Sequence, residues 1–206
     1  MIEKELYIIR HGQTDHNHRG IVQGKGVNLP LNERGRRQAQ AFYEAHKHIP
    51  FDAICTSSLL RAQETIFPFR ELGLNFKPYP ELDEISWGEM EGKQATMESS
   101  ETFQTLLARW KNGDIDAKPP GGESPRELQE RQQRFINQLV QMPERIILIS
   151  MHGRAIRSLL CTLTNTPLSK MEEFPHVNLT LYKVNMQKGG QFEIERFNEQ
   201  GHLRGM

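Results

Sequence analysis

Cysteine is scarce in this sequence. The 206 residues hold two, Cys55 and Cys161, with no CxxC spacing. That scarcity argues against a disulfide framework or a thiolate metal site, and both are expected to be buried, reduced thiols. Charge of one sign is lacking too: Lys plus Arg and Asp plus Glu each total 26. With zero formal net charge, bulk electrostatics does not draw the chain to nucleic acid or a membrane surface. Any attraction to an anion must come from a local cluster. No apolar run approaches the ~20 residues a bilayer span requires. The first ten residues carry acids where a signal peptide needs a basic start and an apolar run, so a cytoplasmic location is expected. There is no internal repeat and no low-complexity tract. A chain of this length buries a sizeable core without staples, and one domain over 1–206 is expected, with a small cap at 93–122.

Short apolar runs alternate with amphipathic stretches. Leu6 to Ile9 and Ala53 to Thr56 predict buried strands, as does the Ile-rich run from Arg145 to Met151. Asn32 suits the N-cap of a helix whose apolar stripe is Ala39, Phe42, Tyr43 and His46, ending near Pro50. Ser58 is expected to cap a helix running to about Leu72, kinked at Pro68 and stopped at Gly73. A helix is expected over roughly Thr102 to Asn112. Ser124-Pro125-Arg126-Glu127 has Ser at N-cap, Pro at N1 and Glu at N3, a capping box opening a helix to about Met142. A further helix spans about Arg154 to Leu163. Strands near 179–184 and 192–197, around Gly189-Gly190, predict a hairpin at the sheet edge. The alternation implies βαβ units, hence a three-layer α/β/α fold with a mainly parallel sheet. Ligands of such sheets bind beyond the carboxyl ends of the strands.

Two of those ends carry the same feature, a histidine followed by a glycine. Arg10-His11-Gly12 follows the first strand. A neutral imidazole is a competent nucleophile toward phosphorus when an acceptor holds its other ring nitrogen. The adjacent guanidinium matches phosphate oxygens, and Gly12 lets backbone approach a ligand. His152-Gly153 follows a later strand and opens a helix, whose free N–H groups favour an anion. Arg61, one turn into a helix, is placed to bring a second guanidinium to the same crevice. Glu81, Asp83, Glu84, Glu89 and Glu91 cluster before Gly92, and one of them can serve as general acid and base. The residues alone do not choose among the five.

The order of these blocks resembles the histidine phosphatase superfamily, in its phosphoglycerate-mutase-like branch. Arg10-His11-Gly12-Gln13-Thr14 with Asn17 is similar to its opening signature, and Leu29 to Gly35 followed by Gln38-Ala39 to its next block. Ser58-x-Leu60-Arg61-Ala62-x-x-Thr65 resembles the second-arginine block, one residue shorter than is common. Leu82-x-Glu84-x-x-x-Gly88-x-x-Glu91-Gly92 resembles the acid block. Gly121 to Ser124 and His152-Gly153 complete the series. The resemblance implies a phosphoglycerate mutase-like fold with His11 as nucleophile and Glu84 as proton donor and acceptor. It implies Arg10, Arg61 and His152 as catalytic groups that bind the phosphoryl oxygens, assisted by Asn17 and Gly153, with Gln23 and Gly24 on the loop over the pocket. No metal and no cofactor is called for. Met151 and Arg154 depart from the pattern, and Arg154 is a candidate contact to a second anionic group.

The expected activity is metal-independent hydrolysis of a small phosphorylated metabolite through phosphohistidine. A cofactor-dependent phosphoglycerate mutase is the alternative, disfavoured by the few basic residues in 93–117. A metallohydrolase built on His16-x-His18 or His46-x-His48 lacks HExxH. A non-catalytic phosphate-binding domain keeps the fold but leaves a full catalytic set without purpose. A homodimer is allowed by the sequence and nothing in it decides the matter.

Overall fold

The computed structural model describes residues 1–74, 76–94 and 97–205, with side chains except at 97–100. The elements run β1 (Ile2–Arg10), α1 (Asp15–Arg19), α2 (Glu33–His46), β2 (Ala53–Thr56), α3 (Leu60–Ile66), β3 (Phe76–Pro78) and α4 (Met97–Lys111). Then come α5 (Pro125–Gln141), β4 (Ile146–Met151), α6 (Gly153–Leu163), β5 (Leu181–Gln187) and β6 (Phe192–Glu199). The strands form one six-stranded sheet in the order β3-β2-β4-β1-β5-β6. The first four are mutually parallel, while β5 and β6 run antiparallel as the expected edge hairpin.

Strand alternation sorts the core into two faces. Leu6, Ile8, Ile147 and Ile149 pack with Leu128, Phe135, Ile156 and Leu160 of α5 and α6. Tyr7, Ile9, Ile54 and Leu148 face the other way, onto Phe42, Tyr43, Ile66 and Phe69. After β1 the chain therefore crosses to the α2 face, and after β4 to the α6 face. The strands β1 and β4 are neighbours with Arg10 opposite Met151. A crevice opens where the two connections part, the position that the strand-end rule marks for a ligand.

Several local expectations change. Within the polar loop 12–30, Thr14 caps a one-turn helix, accepting from Asn17 N, while Asn17 returns the bond to Thr14 N. Ser58 is not a helix cap. The cap position is Leu59, with no side-chain bond, because the Ser58 hydroxyl goes to Asp83. The helix α3 does not kink at Pro68; it passes into a 3-10 turn over Phe67–Leu72, where Pro costs no hydrogen bond, and Gly73 closes that turn at positive φ. The short strand β3 was not foreseen, and α4 begins before Thr102. The Ser124 capping box is present as expected. Both cysteines are buried and unpaired, and burial pushes both thiols up to about 12. Among the described residues, no helix is long and apolar enough to cross a membrane.

Candidate active site

The carboxyl end of β1 delivers His11 into the crevice, and its backbone N–H donates to Met151 O, locking it against the end of β4. The ring is 3 % exposed. Its Nδ1 lies 2.7 Å from Gly12 O. A carbonyl only accepts, so the proton sits on Nδ1 and Nε2 keeps its lone pair. Burial, with Arg61 and Arg10 adding repulsion, holds the His11 pKa well below the usual value and the ring neutral. Gly12 serves packing rather than ligand approach. A side chain there would meet Gly35 O of α2 at 2.6 Å, which is why the tripeptide needs glycine.

His152 ends β4 in the same way, its ring centroid 5.1 Å from that of His11. Arg61 Nε donates to His152 Nδ1 at 3.2 Å. The proton must then lie on Nε2, which donates to Ser57 Oγ at 2.7 Å, and the Ser57 hydroxyl donates to Asp83 at 2.7 Å. Burial first, then Arg61, His11 and Arg10, keep His152 neutral as well. Arg61 is fully buried, and its other donors reach Gly24 O and Val27 O. Burial lowers its pKa to about 10, still cationic at neutral pH.

The five carboxylates differ in their partners. Asp83 is occupied by Ser57 and by the Ser58 backbone and hydroxyl. Glu91 accepts from Trp87 N and Ser86 Oγ. Glu89 is exposed, and Glu81 does not reach the cleft. Glu84 lines the cleft with His11. Its oxygens accept from Ile85 N at 2.9 Å, Arg154 N at 3.1 Å and Ala155 N at 2.8 Å. The amino end of α6 is thus complemented by this carboxylate instead of waiting for a ligand. Buried Arg131 donates to the carbonyls of Pro80, Glu81, Asp83 and Glu84 and pairs with Glu123, clamping the acid loop to α5.

The cleft itself has a volume of about 280 Å³. Arg10, His11, Asn17, Gln23, Glu84 and Gly153 line it. Two buried donors there have no partner, Arg10 Nε and Gln23 Nε2. Gln23 Oε1 accepts from Thr14, which aims the amide, and Asn17 Oδ1 accepts from Thr14 N and Asn178. Ile21, Val22, Trp87 and Phe103 line it as well. Arg61, His152 and Gly24 are not among the residues that line this cleft. Arg154 does line it, but its Nη1 is 2.5 Å from Glu172 and its guanidinium lies 5.4 Å from the Trp110 ring centre. Arg157 shares Glu172.

Sequence reasoning missed three residues. His176 lines the cleft and contacts Arg10. Asn178 donates to His11 O and Asn17 Oδ1. Ser57 relays between His152 and Asp83. The run His176-Val177-Asn178, two polar residues just before a buried strand, was the only signal available. Among the described residues, no three His, Cys, Asp or Glu side chains group as a metal site. His16 and His18 sit two apart on α1, and His46 is buried, bonded to Phe42 O.

A neutral histidine with a bare Nε2, orphan donors and a carboxylate thus meet around one strand-end cleft. The sequence matches the histidine phosphatase superfamily, branch 1, over residues 6–200, and the chain belongs to that superfamily. It is 29% identical over 180 residues to a 2,3-bisphosphoglycerate-dependent phosphoglycerate mutase of Gloeobacter violaceus, covering 82% of this chain and 79% of that one. It is also 29% identical to the adenosylcobalamin/alpha-ribazole phosphatase of Salmonella typhimurium, over 82% and 84% of the two chains. The native structure of a mycobacterial glucosyl-3-phosphoglycerate phosphatase superposes with a TM-score of 0.84 at 25% identity, over 96% of this chain and 99% of that one.

Proposed function

We propose that the protein is a metal-independent phosphomonoester hydrolase that works through phosphohistidine at His11. The observation carrying this reading is the pair of buried, unpartnered donors, Arg10 Nε and Gln23 Nε2, in one cleft with the bare Nε2 of His11 and the Glu84 carboxylate. Buried donors without partners are costly and call for an acceptor-rich ligand, and a phosphoryl group is one.

His11 Nε2 attacks phosphorus, and the bond to the leaving oxygen breaks as Glu84, protonated at this stage, gives that oxygen its proton. Water then enters. Glu84 takes its proton, the hydroxide oxygen bonds to phosphorus, and the P–N bond to His11 breaks, releasing phosphate and restoring both groups. Arg10, Gln23 and Asn17 hold the equatorial oxygens and spread their charge. Arg61 joins them by exchanging the neutral carbonyls of Gly24 and Val27 for a dianion, a stronger acceptor. His152 supplies the second ring beside the phosphoryl group, and Gly153 leaves room for the His176 ring at that side of the cleft. The guanidinium groups carry the positive charge that a metal would otherwise bring.

The substrate is a small phosphorylated metabolite, in keeping with the cleft volume and with relatives named as phosphatases of such compounds. Segment 93–122 acts as a small cap: Phe103 of α4 lines the cleft, and Trp110 stacks on Trp87. Residues 95 and 96 of that segment lie outside the described residues.

The test is turnover of a phosphomonoester panel in excess chelator, followed by a search for acid-labile phosphate on His11. Release of inorganic phosphate by wild type, its loss in His11→Ala and labelling of His11 are expected. Full activity in His11→Ala would overturn the assignment.

A further inference from the structure

The mechanism above gives no role to His176, which lines the cleft beside Arg10. His176 sits between α6 and the strand β5, half-buried, with its Nδ1 3.3 Å from Arg10 Nη1. A guanidinium only donates, so Nδ1 accepts and the ring proton belongs on Nε2. Arg10 has few other anchors: among the described residues its side chain makes no other hydrogen bond, and its Nε is buried without a partner. An arginine held by packing alone loses orientation when it must meet a phosphoryl oxygen.

The surroundings hold His176 in that place. The Pro175 carbonyl accepts from Tyr182 Oη, and the Phe174 carbonyl accepts from Arg157 Nε at 3.0 Å. Two residues on, Asn178 donates to His11 O. The ring lies flush on the first turn of α6, where a side chain at position 153 would meet His176 Cε1 at 2.5 Å. Gly153 is therefore the seat of this imidazole. The ring stays an acceptor over the working pH range. Burial, followed by repulsion from Arg10, Arg157 and Arg154, takes His176 down to about 2.

Resting on the reading that this cleft takes a phosphoryl group, we propose that His176 is a positioning residue that orients Arg10 toward that group through its Nδ1 lone pair. It is not an acid or a base, because a neutral ring walled in by guanidinium groups neither gains nor gives up a proton during turnover.

The test uses the full chain and inorganic phosphate as probe, with 4-nitrophenyl phosphate for turnover. His176→Ala removes the acceptor. It should weaken phosphate binding and lower kcat/KM by about 10- to 100-fold, as for loss of one charge-assisted hydrogen bond. The shape of the pH profile should not change. His176→Asn places Oδ1 where Nδ1 stood and should recover most of both losses. Thermal midpoints of the variants separate misfolding from loss of orientation. Wild-type behaviour of the alanine variant, or equal impairment of both variants at unchanged thermal midpoints, would overturn the proposal. Phosphate binding that depends on His176 in a protein that hydrolyses no ester would support it while ending the hydrolase reading. Absence of phosphate binding in wild type would end both.

Discussion

His11 Nδ1 and the carbonyl oxygen of Gly12 lie 2.7 Å apart, so the backbone of the next residue sets the tautomer of the candidate nucleophile. Burial and two guanidinium groups then keep the ring neutral. The reactive form is the deprotonated one, and a depressed pKa extends that form to lower pH. We therefore expect no acid limb near pH 6.5 in kcat/KM for an aryl phosphate; any limb from His11 falls well below that. The sign for stability is the opposite. His11 is neutral in both folded and unfolded chains above about pH 6.5. Below it only the unfolded chain takes up the proton, so stability is lost as pH falls, by at most about 1.4 kcal/mol per pH unit for each such group. Thermal unfolding between pH 6.5 and 5 should show a steeper decline for wild type than for His11→Asn. Identical slopes would show that His11 titrates normally.

Arg61→Ala should cost on the order of 10²–10³ in kcat/KM, as for one oriented donor lost from a charged transition state. It should also destabilise the fold by about 1–3 kcal/mol, since Gly24 O, Val27 O and His152 Nδ1 lose a buried donor. Arg61→Lys should recover part of the stability and little of the activity, because an ammonium lacks the planar fork. Kinetics beside a denaturation curve check both. An alanine variant that is unstable but fully active would confine Arg61 to a structural role.

Glu84→Gln should slow hydrolysis of alkyl phosphates far more than formation of the phosphoenzyme from aryl phosphates, whose leaving groups need little protonation. Phosphohistidine should accumulate, since water activation is lost as well. The geometry adds a folding cost. Three backbone N–H groups point at the two carboxylate oxygens, Ile85 N and Ala155 N at Oε1 and Arg154 N at Oε2, and the amide replaces one oxygen with an NH₂ that no longer accepts there. Rapid-quench measurement of the burst and the steady state tests this. Equal losses on both substrate types would count against Glu84 as the acid.

A mutase needs further cations to retain a bisphosphate, and it must exclude water until transfer back. The cleft wall offers Arg154 beyond Arg10, and Glu172 already pairs with Arg154. We expect 3-phosphoglycerate, supplied with catalytic 2,3-bisphosphoglycerate, to be isomerised slowly or not at all, with inorganic phosphate the main product. A product assay decides. Interconversion outpacing phosphate release by a large factor would overturn the hydrolase reading and leave the geometry of His11 and Glu84 unchanged.

The sequence by itself determined every strand except the short β3, the helices with clear caps, the edge hairpin and the two strand-end histidines. Each of these depends on contacts within a few residues: an apolar period, a Ser-Pro-x-Glu cap, a glycine at a turn. The same locality placed Ser58 wrongly as a helix cap, because its hydroxyl is claimed by Asp83, 25 residues away. Only the tertiary structure decided which carboxylate shares the cleft with His11. Glu84 and Asp83 are adjacent in the chain but are claimed by different partners, α6 and Ser57-Ser58. It also brought His176 to Arg10 across 166 positions, put Gly35 against Gly12, and bonded Arg61 to His152. Hydrogen bonds and close approaches of this kind depend on distance in space, which the register of β1 against β4 and the departure of α2 and α6 to opposite faces create, and no local pattern of residues encodes that distance.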